Sequence, residues 1–229
     1  MSRLNSSPQP ILCYVTERLA LPSVGDASAA LLVRIQEAVA AGVDWIQIRE
    51  KDLPARELSI LVQSALVRAS AAAPAASRPT ILVNDRLDVA LAEKAGGVHL
   101  GEKSIPVGET RQLAAKLRAH SQPPFFIGAS CHSFDTARAA AASGADYLFF
   151  GPVFATPSKA GYGAPQGLAR LADVCRAVSI PVLAIGGINE HNAGSCLSAG
   201  AAGIAAIRLF QDAFDLPHLV RTLRALRLR

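Results

Sequence analysis

The chain has 229 residues, is 51% hydrophobic and carries a net charge of +5, which suits one α/β domain with a substantial core. Its pI of about 9.3 is compatible with nucleic acid, a membrane surface or small phosphorylated substrates. Aromatics are only 5% and the cations are scattered along predicted helices, with no ring-and-arginine stretch of the kind that stacks bases. Small phosphorylated substrates are therefore the expected partners, not nucleic acid and not a membrane. Cys13, Cys131, Cys175 and Cys196 form no CxxC pair, and the histidines are dispersed, so no preformed zinc site is expected. Residues 1–10 lack the apolar core of a signal peptide, and no apolar run approaches bilayer length. The expectation is a reduced, soluble, cytoplasmic protein.

Short apolar, β-branched runs alternate with longer alanine-rich amphipathic stretches. The predicted strands are Ile11–Thr16, Trp45–Glu50, Thr80–Asp85, Gly97–Gly101, Phe125–Ser130, Tyr147–Val153, Pro181–Gly187 and Gly203–Leu209. Helical patterns fill residues 28–41, 55–73, 87–95, 107–119, 133–143, 166–178, 191–199 and 216–228. Such alternation requires right-handed crossovers and a parallel sheet covered by helices. Eight strand–helix pairs in 229 residues match a minimal closed (β/α)8 TIM barrel as a single α/β domain over residues 10–229, with residues 1–9 a flexible N-terminus. An open doubly wound sheet is the alternative, but Thr16–Gly25 holds no G-x-G-x-x-G.

In such a barrel the chemistry sits at the C-terminal ends of strands. The second strand is the most informative. Alternation gives Gln47, Arg49 and Lys51 one face and Ile46, Ile48 and Glu50 the other. A guanidinium and an ammonium aimed the same way suit a polyanion; taken alone, the pattern also fits an edge strand with solvated charges. The other ends are polar and glycine-rich: Asn84-Asp85, His99–Gly101, Ser130–His132, the long loop Gly151–Gly167, Gly186-Gly187 and Ile207-Arg208. Asp85 or Asp88 could simply cap the helix starting near Leu87, and Gly186-Gly187 could be only a tight turn. Ser130 is not read as a nucleophile, because Gly128-Ala-Ser-Cys-His lacks the second glycine of a nucleophile elbow. His132, opening a helix, reads as a capping or packing residue. Gly101-Glu-Lys-Ser104 fails as a phosphate loop for want of Gly-Lys-[Ser/Thr].

Taken together these ends resemble the thiamine phosphate synthase family, from Tyr14 to Phe210. The resemblance rests on Gln47-Ile48-Arg49-Glu50-Lys51, Val83-Asn84-Asp85, Gly97-Val98-His99-Leu100-Gly101, Gly128-Ala129-Ser130, Gly144-Ala145-Asp146-Tyr147, Gly151-Pro152-Val153-Phe154-Ala155-Thr156-Pro157-Ser158-Lys159 and Ala184-Ile185-Gly186-Gly187-Ile188. It implies a transferase that joins 4-amino-2-methyl-5-pyrimidinylmethyl diphosphate to a thiazole ethyl phosphate (carboxythiazole phosphate), giving thiamine phosphate and diphosphate. It further implies that Gln47, Arg49, Lys51, Asn84, Ser130 and Lys159 bind the pyrimidine diphosphate, with Lys159 and Ser130 in catalytic roles. Thr156, Ser158, Gly187, Ile207 and Arg208 would bind the thiazole phosphate, and Asp85 would ligate Mg2+. The loop over residues 154–166 would close as a lid to keep water from a cation-like pyrimidine methylene.

Two positions depart from the family pattern. Ser104 stands where a second metal-binding aspartate is usual, and Arg208 where a small hydroxyl residue is usual. A thiazole tautomerase on the same barrel, favoured by Ser104 and His132, is the nearest alternative reading; a non-catalytic barrel sensing thiazole or thiamine phosphate is another.

Overall fold

Each apolar run forms a strand, and the eight strands pair in chain order, all parallel, until the last meets the first and closes a barrel. In the computed structural model, which describes residues 9–22, 25–74, 77–118, 123–156 and 164–226, the strands are β1 (Ile11–Val15), β2 (Trp45–Ile48), β3 (Thr80–Asn84), β4 (Gly97–Leu100), β5 (Phe126–Cys131), β6 (Tyr147–Phe150), β7 (Val182–Ile185) and β8 (Gly203–Ala206). The helices are α1 (Ala27–Ala41), α2 (Ala55–Ala72), α3 (Leu87–Ala92), α4 (Val107–Leu117), α5 (Phe134–Ala142), α6 (Gly167–Ala177), α7 (Ala193–Ser198), α8 (Arg208–Gln211) and α9 (Leu216–Ala225). The expected single-domain (β/α)8 barrel is therefore the observed architecture. Among the described residues no helix is long and apolar enough to cross a membrane. Of the expected flexible start, only Gln9 is described.

Most strands are a residue or more shorter than the sequence suggests, because hydrophobicity continues past the last ladder bond. At β8 the reason is visible. Its predicted run to Leu209 ends at Ala206, and Arg208–Gln211 turns into a short helix. Gln211 holds this turn against β1: its side-chain oxygen accepts from the Tyr14 hydroxyl and the Glu17 amide, and its Nε2 donates to the Glu17 carbonyl. A turn that satisfies these buried groups is favoured over further strand, whose outer bonds would face the barrel mouth.

Alternation splits the core into two layers. One lies between strands and helices and includes Leu12, Tyr14, Ile46, Ile48, Val83, Val98 and Leu148. The other fills the barrel itself, with Cys13, Val15, Trp45, Leu82, Tyr147, Phe149 and Leu183. At the opposite end from the strand termini discussed above, Asp44 and Asp146 accept the amides of Leu12 and Ile127 and pair with Arg224 and Arg111. Asp146, part of the recognised sequence pattern, thus serves register and not chemistry.

Three aromatic rings in so narrow a barrel need space, and Gly128 supplies it. A Cβ there would overlap the Tyr147 ring, which is fully buried. Gly128→Ala should therefore cost about 1–3 kcal/mol through overpacking, read as a lower thermal midpoint by calorimetry. An unchanged midpoint would mean that the ring does not lie against β5.

Candidate active site

The site begins where β2 ends. Strand alternation persists past the last ladder bond: Gln47, Arg49 and Lys51 all line a cavity of about 330 Å³ at the barrel mouth, while Ile46 and Ile48 lie in the outer core. Glu50 fixes this phase. It is 5% exposed, accepts from Thr16 Oγ1 at 2.6 Å and from the Arg18 amide, and pairs with the Arg18 guanidinium at 3.2 Å. Thr16 Oγ1 in turn accepts the Arg49 amide at 3.0 Å. Arg18 also grips Asp52 with two bonds of 2.6 Å, which raises the guanidinium pKa still further and holds the Asp52 carboxyl below its ordinary value. These partners lock Glu50 outward, so the cations on either side of it face the cavity.

From β3, Asn84 enters the same cavity, accepting from Gln47 Nε2 at 2.9 Å and donating to Asp85 Oδ2 at 3.0 Å. Asp85 takes a left-handed backbone (φ 60°) that an aspartate tolerates better than most residues. Its carboxylate is exposed, accepts from the Gly101 amide at 3.2 Å and is hydrogen-bonded by the Ser104 hydroxyl. The helix-cap alternative does not hold: α3 has no side-chain cap, and Asp88 pairs with Arg86 instead.

Ser130 of β5 also lines the cavity, 2.9 Å from His99 Nε2. His132 joins it, its Nδ1 bonded to the Gly151 carbonyl, while Ser133 caps α5 in a capping box with Thr136. The reading of His132 as a cap or packing residue therefore gives way to a cavity-lining role. Sequence missed it because the neighbouring serine is the better cap. Glu17, Glu102, Lys103 and Phe149 are further lining residues with no motif to announce them.

A second cavity of about 250 Å³ adjoins the first, sharing Glu17, Ile185 and Ile207 as a common wall. It is lined by Thr156, Gly186, Gly187, Asn189 and Arg208. Gly187 has a left-handed φ of 66°, and a Cβ there would meet the Ala155 carbonyl and Phe154. The Gly187 carbonyl is fixed by Asn192 Nδ2 at 2.9 Å. This is a required glycine that brings bare backbone to the cavity edge. Ser158 and Lys159, and most of the expected lid, fall within residues 157–163, outside the described residues. A hollow of about 780 Å³ between α5 and α6, on the outside of the barrel, shares no residue with either mouth cavity and is set aside as the site.

One cavity thus gathers three cations (Arg49, Lys51 and Lys103), two side-chain amides and the carboxylates of Glu17 and Glu102, with Asp85 bonded to Asn84 beside it; its neighbour offers backbone, a threonine and an arginine. A family model described as thiamine monophosphate synthase matches residues 20–210.

The chain belongs to this family.

Among its relatives, a putative thiamine-phosphate synthase of Geobacter sulfurreducens is 46% identical over 177 residues, covering 77% of this chain and 78% of the relative. A thiamine-phosphate synthase of Chlorobium luteolum is 39% identical over 223 residues, 97% of this chain and 95% of the relative. Thiamine phosphate pyrophosphorylase from Pyrococcus furiosus superposes with a TM-score of 0.78 at 32% identity over 96% of each chain. In this barrel the Gln-x-Arg-x-Lys strand depends on the buried Thr16. Thr16→Val keeps the shape but leaves a Glu50 oxygen and the Arg49 amide each short of a partner. The expected cost is about 1–3 kcal/mol in a denaturant melt, and Thr16→Ser should recover most of it. No loss in Thr16→Val would show that Glu50 is not held through this hydroxyl.

Proposed function

We propose that the protein condenses 4-amino-2-methyl-5-pyrimidinylmethyl diphosphate with a thiazole ethyl phosphate to form thiamine phosphate and diphosphate. The observation that carries this reading is the pair of adjoining mouth cavities, one basic and one glycine-lined, sharing Ile185 and Ile207 as a wall. Two phosphorylated substrates that react at their ring ends require such an arrangement, with anionic groups apart and reacting atoms together. The tautomerase and sensing-barrel readings are not favoured by the relatives, whose names are those of synthases.

In the basic cavity, Arg49 and Lys51 would take the diphosphate. Gln47 and Asn84 would hold the aminopyrimidine. Gln47 Oε1 is buried and has no hydrogen-bond partner among the described residues, so it is an acceptor suited to an exocyclic amine. Ser130 would donate to the diphosphate, and Lys159 would offset its charge as it departs. Thr156 and Ser158 would orient the thiazole, with its phosphate on Gly187, Ile207 and Arg208. The thiazole nitrogen attacks the methylene as the carbon–oxygen bond to diphosphate breaks, so no protein nucleophile is required.

Mg2+ fits the donor set at Asp85. It favours hard oxygens and commonly combines one or two carboxylates with substrate phosphates and water. Asp85 is exposed beside the neutral Ser104 hydroxyl, and no cluster of three His, Cys, Asp or Glu side chains stands here among the described residues. Asp85 would hold the ion together with phosphate oxygens, and Ser104 would sit alongside. The bound ion would offset charge growing on the departing diphosphate. All four cysteines are free thiols, which suits a reducing cytoplasm.

Mixing the protein with both substrates and Mg2+ should release thiamine phosphate and diphosphate in equal amounts; chelation or Asp85→Ala should remove most turnover. Product formation undiminished in chelator would end the metal-assisted reading, and no product at all would end the synthase reading. Ser104→Asp should lower the half-saturating Mg2+ concentration, because an anionic oxygen replaces a neutral one beside Asp85. An unchanged Mg2+ requirement, also in the Lys103→Ala, Ser104→Asp double variant, would show that no ion binds between these positions.

A further inference from the structure

We propose that Tyr147 and His99 form a hydrogen-bond relay that commits the Ser130 hydroxyl to donating into the basic cavity, making both of them positioning residues for an oxyanion bound there. His99 on β4, Gly128 on β5 and Tyr147 on β6 stand at one level of the barrel, paired in register across neighbouring strands. Because Gly128 has no side chain, the Tyr147 ring crosses β5 and its hydroxyl reaches His99 Nδ1 at 3.0 Å. The other ring nitrogen, Nε2, lies 2.9 Å from Ser130 Oγ. Phe149 packs on the imidazole with ring centroids 4.1 Å apart, and His99 is 1% exposed.

The direction of the protons follows from burial. Tyr147 is fully buried, and burial raises its pKa well above the ordinary value, so it stays a phenol. Its hydroxyl hydrogen has His99 Nδ1 as its acceptor. If the phenol accepted from Nδ1 instead, that hydrogen would be buried with no other acceptor bonded to it among the described residues, which is costly. Donation by Tyr147 makes Nδ1 the bare nitrogen, so the neutral ring carries its proton on Nε2. Nε2–H then donates to Ser130 Oγ. The serine's own hydrogen is not spent on the ring and points its donor capacity at the cavity that Ser130 lines. Without this order, Ser130 could donate to Nε2 and present only lone pairs to an anion. That the anion is a diphosphate rests on the function proposed above; the tautomer does not.

The test uses the full chain labelled with 15N-histidine. Long-range proton–nitrogen spectra should show His99 protonated on Nε2 and bare on Nδ1, and its signals should change in Tyr147→Phe. Ser130→Ala, which perturbs Nε2, gives the assignment even if Tyr147→Phe does not fold. A proton on Nδ1 in the wild type would overturn the relay. Calorimetric titration with inorganic diphosphate and Mg2+ supplies a second readout. Ser130→Ala should weaken binding about tenfold or more, as expected for a lost hydrogen bond to a charged group. Tyr147→Phe should weaken it less, and the double variant should bind no more weakly than Ser130→Ala alone. A full additional loss in the double variant would show that Tyr147 does not act through Ser130. Failure of the wild type to bind diphosphate would count against the proposed function, and the tautomer would still decide the relay.

Discussion

The site depends on how one strand end is held. Along β2 the side chains alternate, and what sets the phase beyond the ladder is Glu50, anchored by Thr16 and Arg18 from the β1 end. A carboxylate buried to this extent must be fully paired to be tolerated. Once it is, Arg49 and Lys51 have the cavity side as their remaining direction. Two like charges can share one cavity at modest cost because Arg49 is only half-buried and Lys51 is exposed; binding a polyanion relieves the repulsion that remains. The outward ion cluster therefore organises the inward cations without touching the ligand.

Packing inside the barrel serves the same end. Trp45, Tyr147 and Phe149 fill the interior beneath the mouth, with Trp45 and Tyr147 ring centroids 4.6 Å apart. This solid floor leaves the polar strand ends as the walls of the mouth cavities. The tight aromatic tier and the Gly128 gap also explain how a histidine from β4 and a tyrosine from β6 meet across an intervening strand.

The barrel was legible in the sequence because eight short apolar runs separated by amphipathic stretches leave few alternatives to a closed parallel sheet. The phase of Gln47, Arg49 and Lys51 was legible from strand alternation, whereas the proximity of Ser104 to Asp85 was implied only by the family resemblance. His132 was not, since a histidine before Ser133 looks like part of a helix start until the capping box of Ser133 and Thr136 is seen to need no help from it. The turn at Arg208 was also hidden. Its helical form depends on Gln211 meeting Tyr14 and Glu17, contacts separated by nearly the whole chain. The shared wall between the two cavities arises from β1, β7 and β8 closing the barrel, which no local window of sequence encodes.

The division of labour between the two cavities is tested most directly by a crystal structure with thiamine phosphate and diphosphate bound together. The expected result is diphosphate against Arg49 and Lys51 and the thiamine phosphate group at Gly187 and Arg208, with the ring bridge passing Ile185 and Ile207. Both phosphorylated ends in the basic cavity, or the product seated in the hollow between α5 and α6, would contradict it.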